Sequence, residues 1–422
     1  MNRYGNLAPP IAAAGVVALS IYLSAFYGIA TWIARRLSAA GTINLWLLAS
    51  LWLLADMGRG YLFSGFPWLA VGYAQIDTPL VILAPFLGVY GISLAVLILA
   101  AAGVYALSAK RRTAASVVGV LLATTVALNF VVVPATRTSH TPISVALVQG
   151  NVPQDFKFDR ARIADTMQSY TRAVEASQAE LVVLPETAWT TIWPNTPDSI
   201  KGRLAAKAKT QAIVLGLPYI GQGSIANSVA VIRADGTLGY RYDKHHLVPF
   251  GEYIPFGFDW FVQMMKLPLG NFDRGHIDQP ALVVGQEKVA FNICYEDLFG
   301  EEIIEAVNNG ATILINTSNL AWFGDSHALY QHLQIARMRS IETARPMLRS
   351  TNTGTTAHID IDGSIVAQLP TFQLQTLTTK VVGTTGKTVY VQTGNLPVFL
   401  LALAIALVAL ANTWLLKRTK KR

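Results

Sequence analysis

The sequence predicts two units built for different solvents: an α-helical transmembrane bundle and an α/β domain outside the membrane. Three observations predict this. Charged residues make up only 14% of the 422, where soluble domains carry about 25%. The deficit is concentrated in residues 1–135 and the C-terminal tail, while the middle reads as an ordinary globular domain. The basic residues behind the net charge of +8 cluster beside apolar runs, as Arg35-Arg36, Lys110-Arg111-Arg112, and Lys417-Arg418 with Lys420-Lys421-Arg422. That placement is a positive-inside pattern and argues against a nucleic-acid stripe.

Four apolar segments in the first part and one at the C-terminus approach or exceed the roughly 20 residues that cross a bilayer core. They are Ile11–Ala34, Thr42–Leu62, Leu80–Leu107, Ala114–Val133 and Pro397–Leu416. Asp56 and Arg59 interrupt the end of the second. With Arg35-Arg36 placed inside, alternation also puts Lys110-Arg111-Arg112 and the basic tail inside, and residues from about Thr138 to Asn395 outside. The expected domains are therefore a membrane domain over 1–137, an extramembrane domain over 138–395, and a span with its cytoplasmic tail over 396–422. The aromatic, Gly- and Pro-broken stretch Phe63–Leu69 suits the membrane interface.

In the middle, short β-branched runs predict strands at Ile143–Gln149, Leu181–Leu184, Ala212–Gly216, Ser228–Arg233, Val289–Cys294 and Thr312–Asn316. Helical patterns intervene at Arg160–Ser177, Gly300–Val307 and Leu329–Thr343, which argues for helices on the faces of a sheet. Asp235-Gly236 and Asp362-Gly363 are hairpin signals.

Three reactive residues fall at strand ends or in adjoining loops, where open α/β sheets place their sites. Glu186 follows Leu181–Pro185, Lys244 follows Tyr242-Asp243, and Cys294, the only cysteine, closes Val289–Ile293. A lone cysteine is more often an inert small hydrophobe, and one cysteine forms neither an internal disulfide nor a metal pair. The other two residues reverse that reading. A carboxylate can take the thiol proton and return one to a leaving group, and an ammonium stabilises thiolate and oxyanion. Amides at the start of the following helix would also favour thiolate. The trio describes acyl transfer through a thioester.

These segments resemble the nitrilase (carbon–nitrogen hydrolase) superfamily and, more narrowly, the bacterial apolipoprotein N-acyltransferase family. The matching stretches are GFPWLAVGYAQID (65–77), ALVQGNVPQDFKFD (146–159), LVVLPETAW (181–189), YDKHHLVPFGEYIPF (242–256), NICYEDLFGE (292–301), NTSNLAWFGDS (316–326) and residues 332–360. The resemblance implies an α-β-β-α sandwich for the extramembrane domain. Glu186 would be general base and acid, Lys244 the oxyanion stabiliser and Cys294 the nucleophile. Glu252, Tyr295 and Glu296 would support them, with the Tyr295 amide as a candidate oxyanion donor. Phe158, Trp189, Phe250 and Trp322 are candidate acyl-chain contacts. Phe158 stands where the family usually carries Trp, and Leu320 where it carries an acidic residue.

The implied reaction takes an acyl chain from a phospholipid, commonly phosphatidylethanolamine. It passes that chain to the α-amine of the N-terminal diacylglyceryl-cysteine of a lipoprotein. The resemblance further implies a multi-pass protein of the bacterial inner membrane with its catalytic domain in the periplasm, acting as a monomer without cofactor. The family typically has eight spans, so three more are expected before Met1. Water in place of an amine would make the same triad an amidase, but five spans and aromatic loops favour a lipid substrate. Trp260–Met265 is the best candidate for an interfacial lid. Adjacent His245 and His246 point to opposite faces of an extended chain, and His327 and His332 have poor helical spacing, so no metal is expected.

Overall fold

The computed structural model describes residues 8–39, 41–107, 111–131, 136–137, 141–157, 159–221, 223–258 and 272–419. Backbone packing divides the chain into two units, one over Pro134–Lys387 and the other joining Ala8–Val133 to Thr388–Arg422. Both boundaries lie earlier in the chain than the expected 137 and 395. Thr136–Arg137 pairs with Thr384–Thr385 inside the first unit, and the short helix Val389–Thr393 belongs to the second.

In the apolar unit, three stretches among the described residues are long and apolar enough to cross a membrane: Pro9–Leu37, Pro79–Ala106 and Leu396–Leu415. The second and fourth expected spans are shorter. Leu45–Tyr61 has 17 residues, begins where the Asn44 side chain accepts from the amides of Trp46 and Leu47, and ends in polar residues. Arg111–Leu128 has 18 residues. Asp56 and Arg59 turn inward rather than lying loose at a span end. They pair at 3.0 Å, Tyr27 donates to Asp56, and Arg59 donates to the Phe66 carbonyl at 2.6 Å. Burial is tolerable because each charge is met by its opposite and by hydrogen bonds. Gly88 has φ +64°, and the Tyr390 ring lies where its Cβ would be, so glycine is needed there on two counts.

Among its described residues the α/β unit contains fourteen strands. In chain order they are β1 (Thr136–Arg137), β2 (Ile143–Gln149), β3 (Leu181–Val183), β4 (Ala212–Gly221), β5 (Ser224–Ile232), β6 (Leu238–Asp243) and β7 (Leu282–Val284). Then come β8 (Glu287–Ile293), β9 (Ile313–Ser318), β10 (Met347–Thr351), β11 (Ala357–Ile359), β12 (Ile365–Gln368), β13 (Gln375–Val381) and β14 (Thr384–Thr385). They form two six-stranded mixed sheets, ordered β13-β2-β3-β4-β5-β6 and β12-β11-β10-β9-β8-β7, with β1 and β14 as a separate pair. Both expected hairpins form, β5–β6 around Gly236 and β11–β12 around Gly363, each glycine at positive φ.

The period of two in the strands assigns the two faces. Val145, Leu147, Leu181, Val183, Val214 and Val229 of the first sheet meet Val289, Phe291, Ile293, Ile313, Ile315 and Leu348 of the second in one buried cluster. The alternate residues Ala146, Val148, Val182, Leu184, Ile213 and Leu215 pack against Met167, Tyr170 and Val174 of helix Arg160–Ala176 and Ile200 and Leu204 of helix Asp198–Ala208. Helices Gly300–Asn308 and Ala328–Thr343 bury Ile303, Val307, Leu333 and Ala336. The result is the α-β-β-α sandwich. Ser350 ties its sheets together by donating between the carbonyls of Val148 and Val183, at 3.1 and 3.0 Å.

Candidate active site

Glu186 stands on a tight turn after β3. The Leu184 amide continues the ladder to the Val214 carbonyl, the Ala188 amide returns to the Pro185 carbonyl, and Thr187 takes φ +45°. Neighbouring β4 allows this turn only because residue 216 is glycine: a Cβ there would collide with the Pro185 carbonyl and the Glu186 backbone. The Glu186 carboxylate then receives two fixed donors. Asn227 Nδ2 donates to Oε1 at 2.9 Å, and the Asn319 amide donates to Oε2 at 2.8 Å.

Lys244 follows β6, its backbone held by the Asn227 carbonyl and the Gly275 amide. Its buried ammonium lies 2.9 Å from both Glu252 oxygens and 3.7 Å from Glu186 Oε1. Glu252 is aimed by the Val248 amide, at 2.9 Å, and by Asn227 Nδ2, at 2.7 Å. One asparagine amide group therefore bridges the two carboxylates. Burial works to lower the Lys244 pKa, but Glu252, Glu186 and Cys294 outweigh it and raise the pKa above the ordinary lysine value.

Cys294 ends β8 and opens the 3₁₀ turn Cys294–Leu298, with φ +54°. A non-glycine residue at positive φ is strained, and such residues concentrate at functional sites. Two constructions hold the turn. Asn316 donates to the Cys294 carbonyl at 3.1 Å and to Asn292 Oδ1 at 2.6 Å. Glu296 accepts the Ile293 amide, the His245 and His246 amides and the Tyr242 hydroxyl, at 2.6, 2.6, 3.0 and 3.0 Å. This one carboxylate locks the Cys294 turn to the loop that carries Lys244, and its burial raises its own pKa.

Beneath the turn, Asp297 is fully buried, 2.8 Å from Arg349 Nη1 and 3.1 Å from His332 Nε2. Arg349 also donates to His332 Nδ1 at 2.6 Å, so the ring is the neutral Nε2–H tautomer. Burial holds the His332 pKa below its ordinary value.

Cys294 senses the charges of Glu186, Lys244 and Glu252. The expectation of a resting thiolate is corrected. The residue keeps part of its exposure, yet crowding around its sulfur, then Glu186, push the thiol pKa well above the ordinary range despite the opposing pull of Lys244. The next element is a 3₁₀ turn whose first acidic residues are Glu296 and Asp297, not a long helix offering free amides.

The candidate chain contacts divide. Trp189, a candidate acyl-chain contact, lies in the core instead. It is fully buried in the helix–sheet cluster, tilted on Trp193, and its Nε1 donates to Thr196 at 2.8 Å. Phe250, at φ +60°, packs edge-to-face on Phe258, while Trp322 is half exposed. Leu320, at the usual acidic position, is fully buried. Phe158 and Trp260–Met265 lie outside the described residues. Tyr295 packs edge-to-face on Phe299, and His246 stacks on Phe299 and meets Glu302 at 2.7 Å.

Sequence reasoning missed Asn227, Asn319 and Lys157. Asn227 did leave a signal, as a polar residue in the apolar run Ile225–Ile232.

Residues 144–390 match the carbon-nitrogen hydrolase family model, and residues 1–102 match that of the apolipoprotein N-acyltransferase N-terminal domain. An apolipoprotein N-acyltransferase from Ralstonia nicotianae is 43% identical over 98% of this chain and 80% of its own length. The chain belongs to the apolipoprotein N-acyltransferase family. A second such N-acyltransferase, from Bordetella bronchiseptica, is 39% identical over 97% of this chain and 82% of its own. Among solved structures, Saccharomyces cerevisiae Nit3, of branch 10 of the nitrilase superfamily, aligns at 21% identity and a TM-score of 0.43. That alignment covers 59% of this chain and 93% of Nit3. As an apolipoprotein N-acyltransferase family member, the chain joins an acyltransferase N-terminal domain to a carbon–nitrogen hydrolase fold.

Proposed function

We propose that this acyltransferase completes lipoprotein maturation in two half-reactions through a thioester on Cys294. In the first, Glu186 takes the Cys294 proton as Sγ attacks an ester carbonyl carbon of a phospholipid. Lys244 stabilises the oxyanion. Collapse breaks the ester C–O bond, Glu186 returns the proton to the departing oxygen, and a lysophospholipid leaves.

In the second half-reaction, the neutral α-amine of a diacylglyceryl-cysteine attacks the thioester carbon. Glu186 receives the amine proton, the C–S bond breaks, and the proton returns to sulfur. The products are an amide and the free thiol. One residue serves as base then acid in both halves because each starts and ends with Glu186 ionised.

The observation that carries this reading is the unequal sharing of Lys244. Glu252 takes its ammonium at 2.9 Å, leaving Glu186 at 3.7 Å as the carboxylate available for protons. The basic clusters beside the apolar spans support a multi-pass protein of the bacterial inner membrane with this chemistry on the periplasmic side. Phosphatidylethanolamine is the proposed donor. The exposed rings of Phe256, Phe258, Trp322 and Phe323 offer apolar surface suited to chains leaving a bilayer.

The test is acylation of a diacylglyceryl-peptide by purified enzyme in phosphatidylethanolamine vesicles. Wild type should yield the N-acyl peptide and lysophospholipid in equal amounts, and Cys294→Ala and Glu186→Gln should yield neither. Product formation by Cys294→Ala would refute the thioester.

A further inference from the structure

Lys157 is a second buried lysine beside the triad, and nothing in the mechanism above uses it. It follows the short 3₁₀ turn Gln154–Phe156 and is only 4% exposed. Its Nζ donates to the Glu186 main-chain carbonyl at 3.1 Å, on the turn where Thr187 has φ +45°. Among the described residues it makes no ion pair, in contrast to Lys244 on Glu252. A buried ammonium with one carbonyl partner is costly unless nearby charge compensates it. The charges acting on it are those of Glu186 and Cys294, with Lys244 and Glu252 linked through Glu186.

The charge inventory gives the reason for such a group. Lys244 and Glu252 cancel. Glu186 then leaves the triad and Glu252 with one negative charge in excess, and transfer of the Cys294 proton to Glu186 moves that charge onto sulfur. One further cation balances that charge, whether it rests on Glu186 or on sulfur.

Building on the thioester reading, we propose that Lys157 is a positioning residue for Glu186. It pins the Glu186 carbonyl and supplies the second positive charge that eases ionisation of Cys294. Burial pushes its ammonium down to about 7, against the opposing pull of Glu186 and Cys294. Its assistance is therefore present below neutral pH and fades as pH rises through that value.

The test compares iodoacetamide alkylation of Cys294 across pH in wild type, Lys157→Met, Lys157→Gln and Lys157→Arg. At about pH 6, Lys157→Met and Lys157→Gln should alkylate about tenfold more slowly than wild type, one pKa unit of lost assistance. At about pH 9 the rates should converge, because wild-type Lys157 has by then lost its charge. Lys157→Arg, which stays charged, should track wild type at the acid end and exceed it at the alkaline end. A merely structural role would slow alkylation equally at every pH, and that result, or unchanged rates in Lys157→Met, would overturn the proposal. If Lys157→Met lowers the melting temperature, Lys157→Gln, which keeps a donor for the Glu186 carbonyl, carries the comparison. Failure of wild-type Cys294 to become acylated would instead count against the thioester, since alkylation needs no acyl donor.

Discussion

Lys244 lies 2.9 Å from both oxygens of Glu252 and 3.7 Å from Glu186. The asymmetry separates two carboxylates that share the Asn227 amide group. Glu252→Gln should abolish it, letting Lys244 collapse onto Glu186 and tie up the base. We predict a fall in the acylation rate of about 10²-fold, within the range for lost general-base catalysis. Breaking the buried pair should also cost about 3 kcal/mol. Single-turnover kinetics and denaturant unfolding check the two effects, and a wild-type rate in a destabilised variant would show that Glu252 only supports the fold.

Asn227→Leu should leave both carboxylates without their shared donor. The expected result is a loss of about 1–3 kcal/mol of stability with a fall in kcat and little change in KM. A change confined to KM would mean that Asn227 contacts substrate instead.

Glu296→Ala frees three backbone amides and the Tyr242 hydroxyl in a buried setting. At about 1–3 kcal/mol per unsatisfied group, the loss should be among the largest of any single substitution in the unit. Hydrogen exchange should rise together at Ile293, His245 and His246. Faster exchange at Ile293 alone would deny the link between the nucleophile turn and the Lys244 loop.

His332 gives a pH dependence of definite sign. Its folded-state pKa lies below the ordinary value of 6.5. The unfolded chain therefore binds more protons as pH drops below about 6.5, and stability falls with acidification. Above that value the contribution is flat. His332→Gln should show a shallower acid limb than wild type in unfolding free energy against pH. Identical limbs would show that burial does not hold the ring neutral.

The sandwich was legible where strands carried their own signature. β2, β3, β5, β8 and β9 are short β-branched runs, and Glu186, Lys244 and Cys294 stand just past strand ends. β10 and β13 were not anticipated, because Arg349-Ser350-Thr351 and Gln375–Lys380 are polar. The polar residues of β10 are buried with partners, Arg349 on Asp297 and Ser350 between the two sheets. Asn319 and Lys157 were hidden for a related reason: one acts through a backbone amide, the other on a backbone carbonyl from a distant segment. Trp189 was misplaced because proximity in sequence to Glu186 does not set side-chain direction, and the residue turns into the helix–sheet core. In the apolar unit, composition located the helices, but the Asp56–Arg59 pair came from packing.

The most direct measurement is the intact mass of the Cys294 peptide after enzyme meets phosphatidylethanolamine vesicles without acceptor. Wild type should carry one acyl chain there, released by hydroxylamine and by a diacylglyceryl-peptide, and Glu186→Gln should carry none. An unmodified Cys294 in enzyme that still acylates added peptide would contradict the account.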